Sequence, residues 1–186
     1  MKKTIGEILL RVLPIMLGVY LGFALNNFGA NQKLKKQAAT FKAMLKNELQ
    51  QNLESVQGVR PYHQQLVKDF TEILQAEDIE QAFNDYSLKG LKPGFVNSSA
   101  YETGIQTGII QQFDLTLVQQ LNRLYMLQKR YTNFNENMIN ALSSRQYPDT
   151  EHEIRGVMRT MRMNMNDVNS FEVQLIEFYE GMLQVL

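Results

Sequence analysis

The stretch Asn31–Gly58, NQKLKKQAATFKAMLKNELQQNLESVQG, carries its apolar residues at Leu34, Ala38, Phe41, Leu45, Leu49, Leu53 and Val56. Steps of three and four residues place all seven on one face of a helix, with a Lys-rich face opposite. No strand-like alternation competes with this pattern anywhere in the chain. The expected fold class is therefore all-α.

Upstream, Val12–Leu25 reads VLPIMLGVYLGFAL, fourteen residues without a strongly polar side chain. Ile8–Leu10 extend it past Arg11, and Asn26 to Ala30 follow it. A spanning helix needs about 20 largely apolar residues, so residues 1–30 are expected to form a single transmembrane anchor. Arg11 would reach the headgroups at one interface. A cleaved signal peptide needs small residues at its cleavage site; Phe28-Gly29-Ala30 and Phe23-Ala24-Leu25 supply a Phe instead. A buried core helix would need a polar face, which this stretch lacks. Three Lys/Arg precede the apolar run and five follow it closely, a count that favours a cytoplasmic domain. The short tail with Lys2, Lys3 and Arg11 resists translocation, and the expectation adopted is N-terminus inside, domain outside.

On a helical wheel, Glu7, Arg11, Pro14, Gly18, Gly22 and Gly29 fall within about 80° of one another. Glu7 and Arg11 have the i, i+4 order of a favourable ion pair. Gly18 and Gly22 form G-x-x-x-G, a spacing that lets two helix backbones approach in lipid. Glu7, Arg11, Gly18, Gly22 and Gly29 are thus the candidate membrane-helix interface, for self-association or for a larger membrane partner.

Downstream, residues 31–186 are expected to form the bundle domain. No breaker separates the anchor from the Lys-rich helix, so one rod should run to about Gln57. Gly58 and Pro61 then predict a turn, with Pro61 in the first turn of a second helix. That helix, with Leu66, Phe70, Ile73 and Leu74, is expected to pass Asp78 and reach Phe83. Residues 84–97 hold Gly90, Pro93 and Gly94 and predict a loop. Ser99 and Glu102 have capping-box spacing for a short helix that Gly104 and Gly108 weaken. Asp114 is the expected N-cap of a long helix bearing Leu117, Leu121, Leu124, Gln128, Tyr131, Phe134, Met138 and Leu142. Thr150 and Glu153 form a second capping box. They open a last helix with Ile154, Met158, Met161, Met165, Val168, Phe171, Leu175, Phe178 and Met182. The expected architecture is an elongated antiparallel bundle of about four long helices.

Composition narrows function. The chain has 186 residues, 19 Lys+Arg against 19 Asp+Glu, two His and no Cys. Zero net charge argues against a nucleic-acid partner, and the lack of Cys removes disulfides and thiolate metal sites. The balance is uneven: residues 1–60 carry +6 and the remainder −6. Gln and Asn number 33, which keeps the surface polar without charge. Asp149 and His152 have the i, i+3 spacing of a carboxylate-bridged metal site, but such a site needs a second motif of this kind plus carboxylates from two further helices, and the other histidine, His63, has no carboxylate at that spacing. The acids read as a solvated first turn that favours a helix N-terminus. Met158, Met161 and Met165 share a helix face as core filler, and Met163 points elsewhere. No phosphate-binding loop, dinucleotide fingerprint or nucleophile elbow is present. No catalytic, cofactor or metal site is therefore expected.

Gly6–Asn27, GEILLRVLPIMLGVYLGFALNN, followed by a basic helix, resembles a family of uncharacterised bacterial single-pass inner-membrane proteins, a domain of unknown function. Members share a Gly-Glu-Ile/Leu-Leu opening, a membrane helix ending in Asn-Asn and a Lys-rich helical stalk. Ser99–Tyr125, with Thr107-Gly108, an apolar pair and a helix that reaches Tyr125, resembles the family's middle. Phe28 stands where the family carries Trp. The resemblance implies an anchored helical protein with its soluble domain in the periplasm.

These readings converge on a non-enzymatic, membrane-anchored accessory or scaffolding protein. Its expected partners are the bilayer and a protein, or a second copy, met through the membrane helix. Phe95, Tyr101 and Thr107, on the loop and the Gly-flanked helix, are the candidate partner contact. The alternative is an extracytoplasmic ligand-sensing bundle that signals through a separate membrane partner.

Overall fold

The computed structural model describes the backbone of residues 2–143, 147–148 and 150–186, and side chains from residue 16 onward except at 142. Lys2–Gln75 form one helix, α1, of 74 residues, about 110 Å long at 1.5 Å per residue. Two short helices follow, α2 (Ile79–Asp85) and α3 (Ser99–Gln106), then a 3-10 turn at Ile109–Gln112. The long helices α4 (Leu115–Ser143) and α5 (Glu151–Val185) complete the chain. The described residues contain no strand, as expected for an all-α chain.

The turn expected at Gly58–Pro61 does not form; α1 runs straight through it. A proline inside a helix removes one backbone hydrogen bond and clashes with the preceding turn. Two features offset this. Pro61, Gly58 and Gln57 lie on the exposed side of α1, so the orphaned Gln57 carbonyl faces water. On the other side the buried positions Leu45, Leu49, Asn52, Val56, His63, Leu66, Phe70 and Ile73 keep one heptad phase across the proline. A turn would break that phase and forfeit the packing of everything beyond it.

The second helix expected to reach Phe83 is likewise corrected. Helix α1 ends at Gln75, and Asp78 caps α2 by accepting from the Gln81 amide at 2.9 Å. Arg155 of α5 donates to the Leu74 carbonyl at 3.3 Å, covering one of the acceptors a helix C-terminus leaves open.

The bundle has three long helices rather than four. Side-chain pairs Gln57–Glu180 and His63–Glu172 run in opposite order, so α5 is antiparallel to α1. Glu48–Tyr125 and Asn52–Gln128 run in the same order, so α4 lies parallel to α1. The loop expected at 84–97 lies at residues 86–98, since α2 takes in Asn84 and Asp85; it forms a strap between α1 and α4.

The expected capping box at Thr150–Glu153 is present in both directions, and the Asp114 carboxylate accepts from the Thr116 amide at α4. In α5 the buried positions are Ile154, Met158, Met161, Met165, Val168, Glu172, Leu175, Tyr179 and Met182. This is an unbroken 4-3 spacing, the period of a coiled-coil seam. Phe171 and Phe178, expected in the stripe, sit one residue off it, half-buried and exposed respectively. Glu172 and Tyr179 take their places.

Outside the bundle α1 is bare. Met16, Leu17, Val19, Tyr20, Leu21, Phe23, Leu25 and Phe28 are all at least half exposed. Among the described residues no helix is long and apolar enough to cross a membrane. The run Val12–Leu25 begins among side chains outside the described ones, and its described part soon meets Asn26, Asn27 and Lys33.

Pro61→Ala should restore the missing hydrogen bond without disturbing the buried face. It is expected to raise stability by about 1–2 kcal/mol, read as a higher urea midpoint with an unchanged slope.

Candidate functional site

Five polar residues occupy heptad positions of the three long helices: Asn52 and His63 on α1, Gln128 and Asn135 on α4, and Glu172 on α5. With Glu48 beside them, all are at least 95% buried. Buried polar groups are stable only when their hydrogen bonds are met, and here the strap and α3 supply most of the partners.

Glu48 does the work expected of the Ser99–Glu102 box. Ser98 is the N-cap of α3 but makes no capping bond to the backbone. Instead the Glu48 carboxylate accepts from the Ala100 amide at 2.6 Å and the Tyr101 amide at 3.4 Å. It also accepts from the Tyr125 hydroxyl at 2.5 Å. A carboxylate at a helix N-terminus meets both free N–H groups and the positive end of the dipole. Burial first, and then the hydrogen bond to Glu48 and its charge, push the Tyr125 phenol far up. Its ring stacks on Tyr101 with centroids 4.0 Å apart and planes 7° from parallel.

One turn along α1, Asn52 grips the strap at Asn97. It donates to the Asn97 carbonyl at 2.8 Å and accepts from the Asn97 amide at 2.7 Å. Gln128 donates to the same carbonyl at 3.0 Å and accepts from Tyr179 at 2.8 Å.

His63 holds the other end of the strap. Its Nε2 donates to the Leu91 carbonyl at 2.7 Å, and its Nδ1 lies 2.6 Å from Glu172 Oε1. Burial alone would lower its pKa; the hydrogen bond to and charge of Glu172, with the Leu91 and Lys92 carbonyls, outweigh this and raise it. Tyr131 donates to the same Glu172 oxygen at 3.1 Å and accepts from the Gly94 amide at 3.1 Å. A Cβ at Gly94 would stand 2.9 Å from the Tyr131 oxygen, so that close approach requires glycine. Tyr62 donates to the Gly90 carbonyl at 2.6 Å. Asn52, His63, Gln128 and Tyr131 thus meet the inward-facing backbone groups of a strap whose outer side is exposed, with only Leu91 and Gly94 of it buried; apolar side chains would leave those groups unpaired.

Two open grooves flank α3. The first, about 620 Å³, lies between α3 and α4 and is lined by Tyr101, Glu102, Asn122, Tyr125, Gln128 and Lys129 among others. The second, about 540 Å³, lies between the base of the bundle part of α1 and the α3 to 3-10 segment. Neither is lined by His63, Glu48 or Glu172.

The candidate contact residues are divided among these surfaces. Tyr101 borders the first groove and donates to Asn122; Thr107 borders the second. Phe95 projects from the strap at 85% exposure beside a smaller hollow that shares Val96 and Thr132 with the first groove. Phe95 and Tyr101 therefore share a side of the molecule, and Thr107 does not join them. Gly18, Gly22 and Gly29 lie on the bare part of α1, where an added Cβ would meet nothing within 4 Å. The side chains of Glu7 and Arg11 lie outside the described residues, as does Asp149. His152 is exposed, and among the described residues no group of three His, Cys, Asp or Glu is placed to hold a metal.

Sequence patterning missed Glu48, Asn52, His63 and Glu172, because it seeks apolar residues in a core. The available signal was phase: extending the 4-3 spacing from Ile154 to Val168 lands on Glu172. No family model, curated protein sequence or solved structure matches the chain.

His63 with a raised folded-state pKa contributes stability that is complete below its unfolded value of 6.5 and is lost as pH rises through the folded value. Strap amides near Leu91 should accordingly lose hydrogen-exchange protection with rising pH, after correction for intrinsic rates. Glu172→Leu leaves a buried histidine without its partner and should cost about 3–5 kcal/mol. His63→Leu combined with Glu172→Leu should recover part of that loss in urea unfolding.

Proposed function

We propose that this chain is a non-enzymatic, membrane-anchored accessory protein, in which residues 1–30 cross the bacterial inner membrane once and residues 31–186 stand on it in the periplasm. The observation that carries the proposal is the bare section of α1. Its apolar side chains from Met16 to Phe28 are exposed all round the helix, so a partner on one side cannot cover them, whereas lipid can. The same helix then continues without a break into the bundle, coupling the anchor rigidly to the domain. Asn26 and Asn27 fall at one interface and Lys33, Lys35 and Lys36 follow.

Within the membrane, the Gly18–Gly22 face is the assembly surface, for a second copy or a larger partner. Outside it, Phe95 and Tyr101 offer the contact for a protein partner. The groove beside Tyr101 and Tyr125 favours one second reading, a ligand-sensing bundle that passes its signal to a separate membrane protein.

Expressed in full, the chain should stay with membranes through alkaline carbonate extraction; release into the supernatant would sink the anchor. Since the sequence has no cysteine, Gly18→Cys and Gly22→Cys give unambiguous crosslinks. Disulfide dimers at these two positions, absent from a Cys placed on the opposite face, are the outcome expected of self-association. Phe95→Ala with Tyr101→Ala should weaken recovery of a stoichiometric partner from solubilised membranes while lowering the unfolding free energy by no more than about 2 kcal/mol, the loss of the Tyr101–Tyr125 stack included. An unchanged complex would remove these two residues from the contact.

A further inference from the structure

The second groove has a composition that the protein-contact reading does not use. Its floor is apolar, formed by Leu34, Phe41 and Met44 of α1 and by Ile109. Its rim toward the bare part of α1 carries Lys33 and Lys36, three residues apart and so on one helix face. No Asp or Glu lines the groove, and among the described residues neither lysine has a salt-bridge partner. The nearby Glu48 is turned inward onto α3. Leu34 and Met44 are 39% and 48% exposed, so part of the floor meets water in the isolated chain. Two unneutralised cations at one end of an apolar trough are complementary to an amphiphilic anion.

Position selects the source of that anion. Lys33 stands three residues, about 5 Å, beyond Ala30, and Phe41 about 16 Å beyond it. The bilayer's polar layer is roughly 5–7 Å thick on each side, so the lysines lie at headgroup level. The apolar floor rises away from the membrane. The turn at Gly108, with φ of +72°, directs the 3-10 segment back onto α1, where the Phe113 ring meets Phe41 at 5.4 Å. These contacts form one side wall of the groove beside Phe41, and Gly104, whose Cβ would collide with the Phe41 ring, lets α3 come close enough to complete that wall.

We propose that this groove holds an anionic phospholipid, with its phosphate between Lys33 and Lys36 and one acyl chain drawn along Leu34, Phe41, Met44 and Ile109. The proposal rests on the membrane anchor. A methylene passing from the bilayer to the trough exchanges one apolar surrounding for another, so the step gives up little hydrophobic free energy where the walls cover it. Attraction of the lysines to the phosphate holds the headgroup, and it favours phosphatidylglycerol over the zwitterionic phosphatidylcholine.

The test uses the full chain with Gln112→Cys, an exposed position on the groove wall, labelled with an environment-sensitive fluorophore and reconstituted into vesicles. Brominated acyl chains quench the fluorophore only on contact. Phosphatidylglycerol brominated in its acyl chains should quench it in a phosphatidylcholine background, and brominated phosphatidylcholine should not. Lys33→Gln and Lys36→Gln should each raise the phosphatidylglycerol needed for half-quenching about fivefold, and together roughly thirtyfold. Lys33→Arg with Lys36→Arg should restore it. Both lysines are exposed, so these variants keep the core intact, and unchanged helicity confirms it. Equal quenching by the two lipids, or none from a carbonate-resistant chain, overturns the lipid site and leaves the anchor standing. Release of the chain by carbonate overturns the anchor and the lipid site with it. Fluorophore shielding that depends on protein-to-lipid ratio and not on lipid type assigns the groove to a second copy and overturns the lipid.

Discussion

Everything in the bundle depends on α1 keeping a single heptad phase from Leu45 to Ile73. Residues that recur every 3.5 positions present one seam to a neighbouring helix for as long as the helix stays continuous. The seam of α5, from Ile154 to Met182, has the same period, and the two helices run antiparallel along it. Pro61 does not interrupt this match, because its lost hydrogen bond falls on the wet side of the helix. The packing energy of Leu66, Phe70 and Ile73 is available only if α1 does not turn. Local preference yields to burial, as it does wherever a modest local penalty opposes several buried large side chains.

The second constraint follows from the first. With α1 and α4 parallel, the chain must return between them, and it does so through the irregular segment 86–98. Where such backbone turns its inner side to the core, at Leu91, Gly94 and Asn97, its polar groups must find side-chain partners. The heptad positions that bond to the strap are accordingly Asn52, His63, Gln128 and Tyr131; Glu172 backs His63 and Tyr131 from α5, and Tyr179 donates to Gln128. Glu48 extends the pattern by one turn, replacing a local cap with a carboxylate from another helix. The polar seam is thus a structural consequence of the topology. It fixes the strap, and through it the side of the molecule that carries Phe95 and Tyr101.

How much of this was legible in the residues varies with the range of the interaction. The Thr150–Glu153 capping box, Asp114 at the start of α4 and the loop around Gly90, Pro93 and Gly94 are interactions within four residues, and each appears where the sequence places it. Ser99–Glu102 has the same spacing as Thr150–Glu153 and fails, because α3 begins at Ser99 with Ser98 as its N-cap, and the free amides of Ala100 and Tyr101 are met by Glu48, 52 and 53 residues away. Phe171 and Phe178 are more hydrophobic than Glu172 and Tyr179, yet the 4-3 phase of α5 buries the latter pair. Of the candidate contacts, Phe95 and Tyr101 come to one side and Thr107 to another, a division that spacing along the chain does not contain.

By itself, the sequence determined the helical class, the apolar run Val12–Leu25, the basic first third and the starts of α3, α4 and α5, since these depend on composition and on neighbours within a turn or two. Only the tertiary structure decided that Pro61 is crossed, that three long helices rather than four make the bundle, and that His63 and Glu172 meet across 109 residues. The reason is common to all three. Each depends on the balance between a local cost and burial against a distant segment, and the identity of that segment is a property of the fold.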